Sequence, residues 1–145
     1  KVVPAPPPVV VEEKPCYSLD EILALITKGE RVEGKTICAV DMINFDFGKS
    51  SIKPESHAYL DKIVALITRT NIKMEIKGHT DNVGNEDFNM KLSKDRAKAV
   101  YDYLVGHGVK KSSLSYSYYG MTRPLDTNET EEGRKMNRRV EFEIK

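Results

Sequence analysis

Ile72, Met74 and Ile76 alternate with Lys73, Glu75 and Lys77, the period-two pattern of a half-buried strand, and the run stops at Gly78. The polar residues His79, Thr80, Asp81 and Asn82 therefore fall at a strand end. Ala97, Val100, Tyr101 and Leu104 recur at the spacing of one helical face, with Ser93 as the expected N-cap and Gly106 and Gly108 as stop signals. This predicts a helix from 93 to about 107 with Arg96 in its first turn. Val140, Phe142 and Ile144 alternate with Arg139, Glu141 and Glu143 in a last strand, whose parity puts Arg138 on the apolar side and Arg139 on the other. Leu114, Tyr116 and Tyr118 alternate with serines in another. A further extended run begins at Thr36, after a turn at Glu33-Gly34-Lys35, and ends with Ile43, Phe45 and Phe47 on one face and Asn44 and Asp46 on the other. Lys53-Pro54 opens a second helix, because proline suits the first helical position, and Leu60, Ile63, Val64 and Ile67 carry it to about 70.

Nearer the start, Ser18-Leu19-Asp20-Glu21 is a capping box, with Tyr17 and Ile22 placed for a hydrophobic staple. Leu19, Ile22, Leu23 and Ile26 form the buried stripe expected of the short helix that follows, and Gly29 stops it. So short a helix must dock to persist. Pro4, Pro6, Pro7, Pro8 and Pro15 mark residues 1–15 as an extended, semi-rigid linker, residues 16–35 as a short helical N-terminal extension, and 36–145 as the domain. Residues 120–136 read as a long loop with a turn of helix near Glu131, and long loops in compact domains are seldom idle. Strands separated by helical patterns make an α/β (α+β) sandwich, two or three helices on a sheet of about four strands.

At 145 residues the chain has room for one ordinary core and a tail. Its 23 basic and 22 acidic residues leave a net charge of +1, so no overall field recommends nucleic acid or an anionic membrane and any charge recognition must be local. No apolar run approaches the roughly 20 residues of a membrane helix. No charged-then-apolar leader opens the chain, so either a leader has been removed or this is part of a larger protein. Cys16 and Cys38 are compatible with two free core thiols or one disulfide.

The candidate chemistry lies in Asp81 and Arg96. A cation in the first turn of a helix is mildly opposed by the helix dipole, so an arginine there points to a specific anion. An acid beside a base in a strand-to-helix crevice suits a zwitterion, the carboxylate taking its ammonium and the guanidinium its carboxylate. On spacing alone a structural salt bridge is the favoured reading of the same pair. His79 beside Asp81 has the composition of an acid–base or metal site, yet His57 and His107 are not at metal-ligand spacing, and a hydrogen-bonding loop role suits it better. The chain has no nucleophile elbow, phosphate loop or dinucleotide fingerprint. Arg134, Lys135, Arg138 and Arg139 form a basic cluster, a pattern that is usually a solvated face.

The stretch Gly78-His79-Thr80-Asp81 with Asn89, Leu92-Ser93 and Arg96-Ala97 resembles the signature of the OmpA-like C-terminal domain, a periplasmic module that binds peptidoglycan. The resemblance extends to Phe45-Asp46-Phe47, Ile52-Lys53-Pro54, Gly120, Pro124, Asn128, Gly133-Arg134 and Asn137-Arg138-Arg139-Val140, roughly two-thirds of the chain in the right order. It implies a βαβαββ arrangement with a mixed sheet and helices on one face. It further implies that Asp81 and Arg96 grip the diaminopimelate of the stem peptide, with Thr80, Asn89, Arg138 and Asp46 completing the site, without catalysis, metal or cofactor. The implied compartment is an oxidising periplasm, which favours a Cys16–Cys38 disulfide, and the implied attachment is to the outer membrane through an anchor or barrel before Lys1. Two other readings stand beside it: a protein-interaction or assembly domain at the wall, and a wall amidase or peptidase using His79 and Asp81.

Overall fold

The computed structural model describes residues 14–46 and 48–145. The expected linker before Lys14, and the Phe47 end of the expected first strand, lie outside the described residues. Helix α1 (Leu19–Thr27) is followed by β1 (Thr36–Val40), α2 (His57–Thr70), β2 (Met74–His79), α3 (Glu86–Gly106), β3 (Leu114–Tyr118), α4 (Glu131–Asn137) and β4 (Arg139–Ile144). The four strands form one mixed sheet in the order β1-β4-β2-β3, with β4 antiparallel to both neighbours and β2 parallel to β3.

The alternation in the sequence is what makes this a two-layer structure. Ile37, Ala39, Met74, Ile76, Val140, Phe142 and Ile144 are in register on one face and are buried. They share a core with Leu60, Ile63 and Ile67 of α2, Ala97, Val100 and Leu104 of α3, and Leu19 and Ile22 of α1. Burying each of the larger of these side chains stabilises the fold by on the order of 2 kcal/mol. At Gly78 a Cβ would stand 2.3 Å from the Ser93 carbonyl oxygen, so the glycine lets α3 lie directly against the central strand. The opposite sheet face carries charge. Lys77 bonds Glu143 at 2.6 Å, Lys145 bridges Glu143 and Glu75, and Ser117 donates to Glu75.

Three expectations are corrected. First, α3 begins at Glu86, capped by Asn85, whose side chain accepts from the Phe88 amide at 2.7 Å. Ser93 is not a cap but lies buried inside the helix, where its hydroxyl donates to the Met90 carbonyl and accepts the Gly120 amide. Arg96 is consequently almost three turns into the helix, and the dipole reasoning for it lapses. Second, the first strand stops at Val40, opposite Arg139 where β4 itself begins, and Asp41 turns the chain away with a φ of 61°. Phe45 instead makes a separate antiparallel bridge with Ile52. Third, Leu23 of α1 is exposed, and Leu25 packs against the core in its place.

The capping box of α1 is present in both directions, from the Ser18 side chain to the Glu21 amide and from Glu21 back to Ser18. Tyr17 bridges to Ile37 alongside β1, and a disulfide joins Cys16 to Cys38 across a separation of 22 residues. In the chain-entropy picture a loop of that size restricts the unfolded state by about 3 kcal/mol. The double variant Cys16→Ser/Cys38→Ser is therefore expected to lose about that much stability in urea melts, and an unchanged midpoint would show the crosslink to be energetically idle.

Candidate functional site

The end of β2 feeds a loop that is fastened from three sides. The Thr80 amide donates to the Gly120 carbonyl, the Thr80 hydroxyl donates to the Asp81 carbonyl, and Asp81 Oδ1 accepts the Val83 amide at 3.0 Å. From α3, Asn89 donates through Nδ2 to the Val83 carbonyl at 3.0 Å. Thr80, Asp81 and Asn89 are all buried, so the acid is held in a preformed position at a helix–loop seam.

Its second oxygen, Asp81 Oδ2, accepts from Arg138 Nη1 at 2.8 Å, and the other arm of Arg138 reaches Glu131 at 2.6 Å. Burial alone would lower the Arg138 pKa, but its bonds to Asp81 and Glu131 more than reverse this and raise it. Arg96 is bound differently. Its Nε donates to the Lys49 carbonyl at 2.9 Å, its Nη2 approaches the Asp46 carbonyl at 3.5 Å, and its guanidinium lies 4.7 Å over the Phe45 ring. Burial lowers its pKa from the usual arginine value, with Asp81 opposing and Arg138 adding to the shift, and the group stays charged. Among the described residues Arg96 has neutral carbonyl partners and no carboxylate within ion-pair distance.

These residues enclose two adjoining cavities. One, of about 430 Å³, is lined by Thr80, Asp81, Asn89, Arg96 and Arg138, with Val83 and Phe88 as an apolar wall. The other, of about 510 Å³, is lined by Asp41, Asn44, Phe45, Lys53 and Lys135 and shares Arg96, Glu131 and Arg138 with the first. The structure thus brings five of the six expected ligand residues to one cavity. Asp46 is not among the lining residues and offers Arg96 its carbonyl, not its carboxylate. An Asp81–Arg96 salt bridge, the reading that spacing alone favours, is not what forms: Asp81 pairs with Arg138.

Sequence reading named Asn137 in the resemblance but gave it no role. It is fully buried, accepts the Leu125 and Asp126 amides at Oδ1, and donates to the Asp126 carbonyl and Asn128 side chain through Nδ2. Those four bonds fold the 125–128 loop against α4 and fix the base from which Arg138 reaches the cavity. A buried amide with every group satisfied is costly to replace, since each orphaned backbone amide costs about 1–3 kcal/mol. Apart from that match, a polar residue at the end of an unpatterned segment carries no mark of such a role. The basic cluster divides. Arg134 bonds Glu131 and the Asn128 carbonyl, Lys135 pairs with Asp41, Arg138 faces the cavity, and Arg139 is buried on the opposite sheet face against Glu141.

His79 proves to be the last strand residue, not a loop residue. Its ring is buried on the charged sheet face, stacked on Tyr119, with Nε2 3.3 Å from Glu141 but without the alignment of a hydrogen bond. Burial lowers its pKa, partly opposed by Glu141, so it is neutral at pH 7. Burial pushes the Glu141 carboxyl up, and its contacts with His79 and the Arg139 guanidinium more than reverse this, to about 2 from 4.5. A carboxyl depressed in the folded state contributes stability that is present above its unfolded value and is lost as pH falls through the folded one. Stability is therefore expected to decline as pH drops from about 4.5 toward 2, and Glu141→Gln should flatten that limb while lowering the neutral-pH melting temperature. An unaltered acid limb in the variant would assign the loss to other carboxylates.

The sequence model of the OmpA family matches residues 44–138. The chain is 42% identical over 101 residues to outer membrane protein A of Bordetella avium, covering 69% of this chain and 52% of that protein. It is 36% identical over 104 residues to the peptidoglycan-associated lipoprotein of Pseudomonas aeruginosa, covering 72% of this chain and 62% of that one. The solved peptidoglycan-associated lipoprotein of Burkholderia pseudomallei superposes with a TM-score of 0.65 at 25% identity, over 71% of this chain and 88% of that one. The chain spans about half the length of the Bordetella relative.

Proposed function

Because this chain belongs to the OmpA family, we propose that its cavity binds peptidoglycan non-covalently through the diaminopimelate of the stem peptide, as a wall anchor and not an enzyme. The observation that carries this is Arg96, a half-buried guanidinium on a cavity wall whose protein partners are carbonyl oxygens, leaving its charge to be met by an anion from outside. Asp81 supplies the opposite charge in the same cavity. The free end of diaminopimelate carries an ammonium and a carboxylate, and the two would be divided between Asp81 and Arg96. For the ammonium to reach Asp81 it shares or displaces the arm of Arg138, which keeps Glu131 as its second partner. Thr80 and Asn89 contribute by holding the acid loop, the Thr80 hydroxyl donating to the Asp81 carbonyl and Asn89 Nδ2 to the Val83 carbonyl.

Among the described residues no helix is long and apolar enough to cross a membrane. The placement proposed is periplasmic, between the wall and the outer membrane. The wall presents many identical stem peptides, so modest affinity at each site suffices for firm attachment when several copies engage. The direct test is retention on purified sacculi, with free diaminopimelate as competitor and isothermal titration of a diaminopimelate-ending tripeptide beside it. Saturable retention that diaminopimelate reverses supports the reading. Retention on a partner protein but not on sacculi would move the domain to assembly, and release of soluble wall fragments would make it a hydrolase.

A further inference from the structure

We propose that the larger cavity is a second subsite, in which Lys53 takes a further carboxylate of the same wall peptide; this rests on the reading of the smaller cavity given above. The two cavities meet at Arg96, Glu131 and Arg138, and each is of a size that holds a small ligand by itself. A single zwitterionic head that spans Asp81 and Arg96 leaves the larger one unfilled. Its charges are not balanced from within. Lys135 is neutralised by Asp41 at 2.8 Å, Arg138 by Asp81 and Glu131, and Arg139 by Glu141. Lys53 and Arg96 are the lining cations left without a carboxylate among the described residues. Arg96 faces both cavities and Lys53 only the larger.

The backbone explains why these two cations come together. The Lys53 amide donates to the Asn44 carbonyl at 2.9 Å, one step from the Phe45–Ile52 bridge, and the Phe45 ring is the surface on which the Arg96 guanidinium lies. One short antiparallel bridge therefore presents Lys53 and supports Arg96. Lys53 is half-buried, where screening by water is weaker than on an open surface and an anion is correspondingly better held. Two unpaired cations lining one cavity suit a ligand with two carboxylates, one for each. In a peptide ending in diaminopimelate the second carboxylate has two sources, the other carboxyl of diaminopimelate itself or one on the residue joined before it.

The test is isothermal titration of that tripeptide and of two versions, each amidated at one of those carboxyls, against wild type, Lys53→Ala, Lys53→Arg and Arg96→Ala. Lys53→Ala is expected to bind the unmodified peptide about tenfold more weakly, as for loss of one half-buried charge-assisted contact, with an unchanged melting temperature. Amidation at the carboxyl that meets Lys53 should weaken wild-type binding by a similar factor and have no effect on Lys53→Ala; which amide does so identifies the source. Lys53→Arg should retain most of the affinity. Wild type that binds both amidated peptides as tightly as the free acid, or Lys53→Ala that still discriminates between them, overturns the second subsite. If Arg96→Ala loses binding and Lys53→Ala does not, only the second subsite falls. If the tripeptide fails to bind wild type, the reading on which the subsite rests falls with it.

Discussion

Arg96→Ala is expected to abolish retention on sacculi and to weaken the diaminopimelate tripeptide by about 30-fold or more, with a melting temperature close to wild type. The size follows from removing one partner of a charge-assisted contact and leaving a carboxylate unpaired in a partly dehydrated cavity, a loss of about 2 kcal/mol or more. The fold should tolerate the change because the groups Arg96 leaves behind, the Lys49 and Asp46 carbonyls, belong to exposed residues and can turn to water. Asp81 needs a gentler substitution. Asp81→Ala would strip the Val83 amide of its acceptor and Arg138 of a partner at once, confounding loop collapse with lost recognition. Asp81→Asn keeps an oxygen for Val83 while replacing the charge and the oxygen that Arg138 bonds, and Arg138 keeps Glu131, so it should lose binding with the loop in place. Combined with Arg96→Ala the losses should fall short of additive, because the second change acts on a site already emptied. Variants that bind normally, whatever their stability, would return both residues to scaffolding.

How much of this was legible in the sequence depended on whether a residue's partner was water, core or loop. β4 could be read from Val140, Phe142 and Ile144 because one sheet face meets helices and the other meets water, which is the condition that writes a period of two. The capping box of α1 was legible because its partners are three residues apart. The start of α3 was not. Its inward face runs Asn89, Ser93, Ala97, Val100, Leu104, a regular helical stripe whose first two members are polar because they hold the 80–84 loop and Gly120. Where a helix face serves the site and not the core, apolar periodicity fades, and the last polar residue before the apolar run imitates a cap. The Asp81–Arg138 pair was hidden for another reason: 57 residues separate the two, and only the antiparallel pairing of β2 with β4 brings their ends together. The same pairing sets His79 opposite Arg139, at the rim of the larger cavity.

Gly78→Ala is expected to destabilise the fold by about 3 kcal/mol and to lower affinity for the wall as a consequence. The glycine has an ordinary strand backbone, so its requirement is one of space and not of torsion. A Cβ there would meet the Ser93 carbonyl oxygen at 2.3 Å, the carbonyl carbon at 3.1 Å and Ala97 Cβ at 3.3 Å, so the obstacle is helix backbone that has no rotamer by which to escape. Relief requires α3 to lift from β2, which opens contacts throughout the core, and overpacking of this kind costs about 1–3 kcal/mol. Because α3 also carries Arg96 and Asn89, the same displacement separates the guanidinium from Asp81 and slackens the loop that holds the acid. Gly106→Ala, at the other end of the same helix, is the matched comparison. Nothing lies within 4 Å of the added methyl and φ is not positive, so helix propensity alone should act, stabilising by a few tenths to about 1 kcal/mol. Thermal melts of the two variants should therefore move in opposite directions, with the Gly78 variant lower by about 10 °C. Should Gly78→Ala melt with wild type and bind normally, the close seating of α3 on β2 would not be what aligns Arg96 with Asp81.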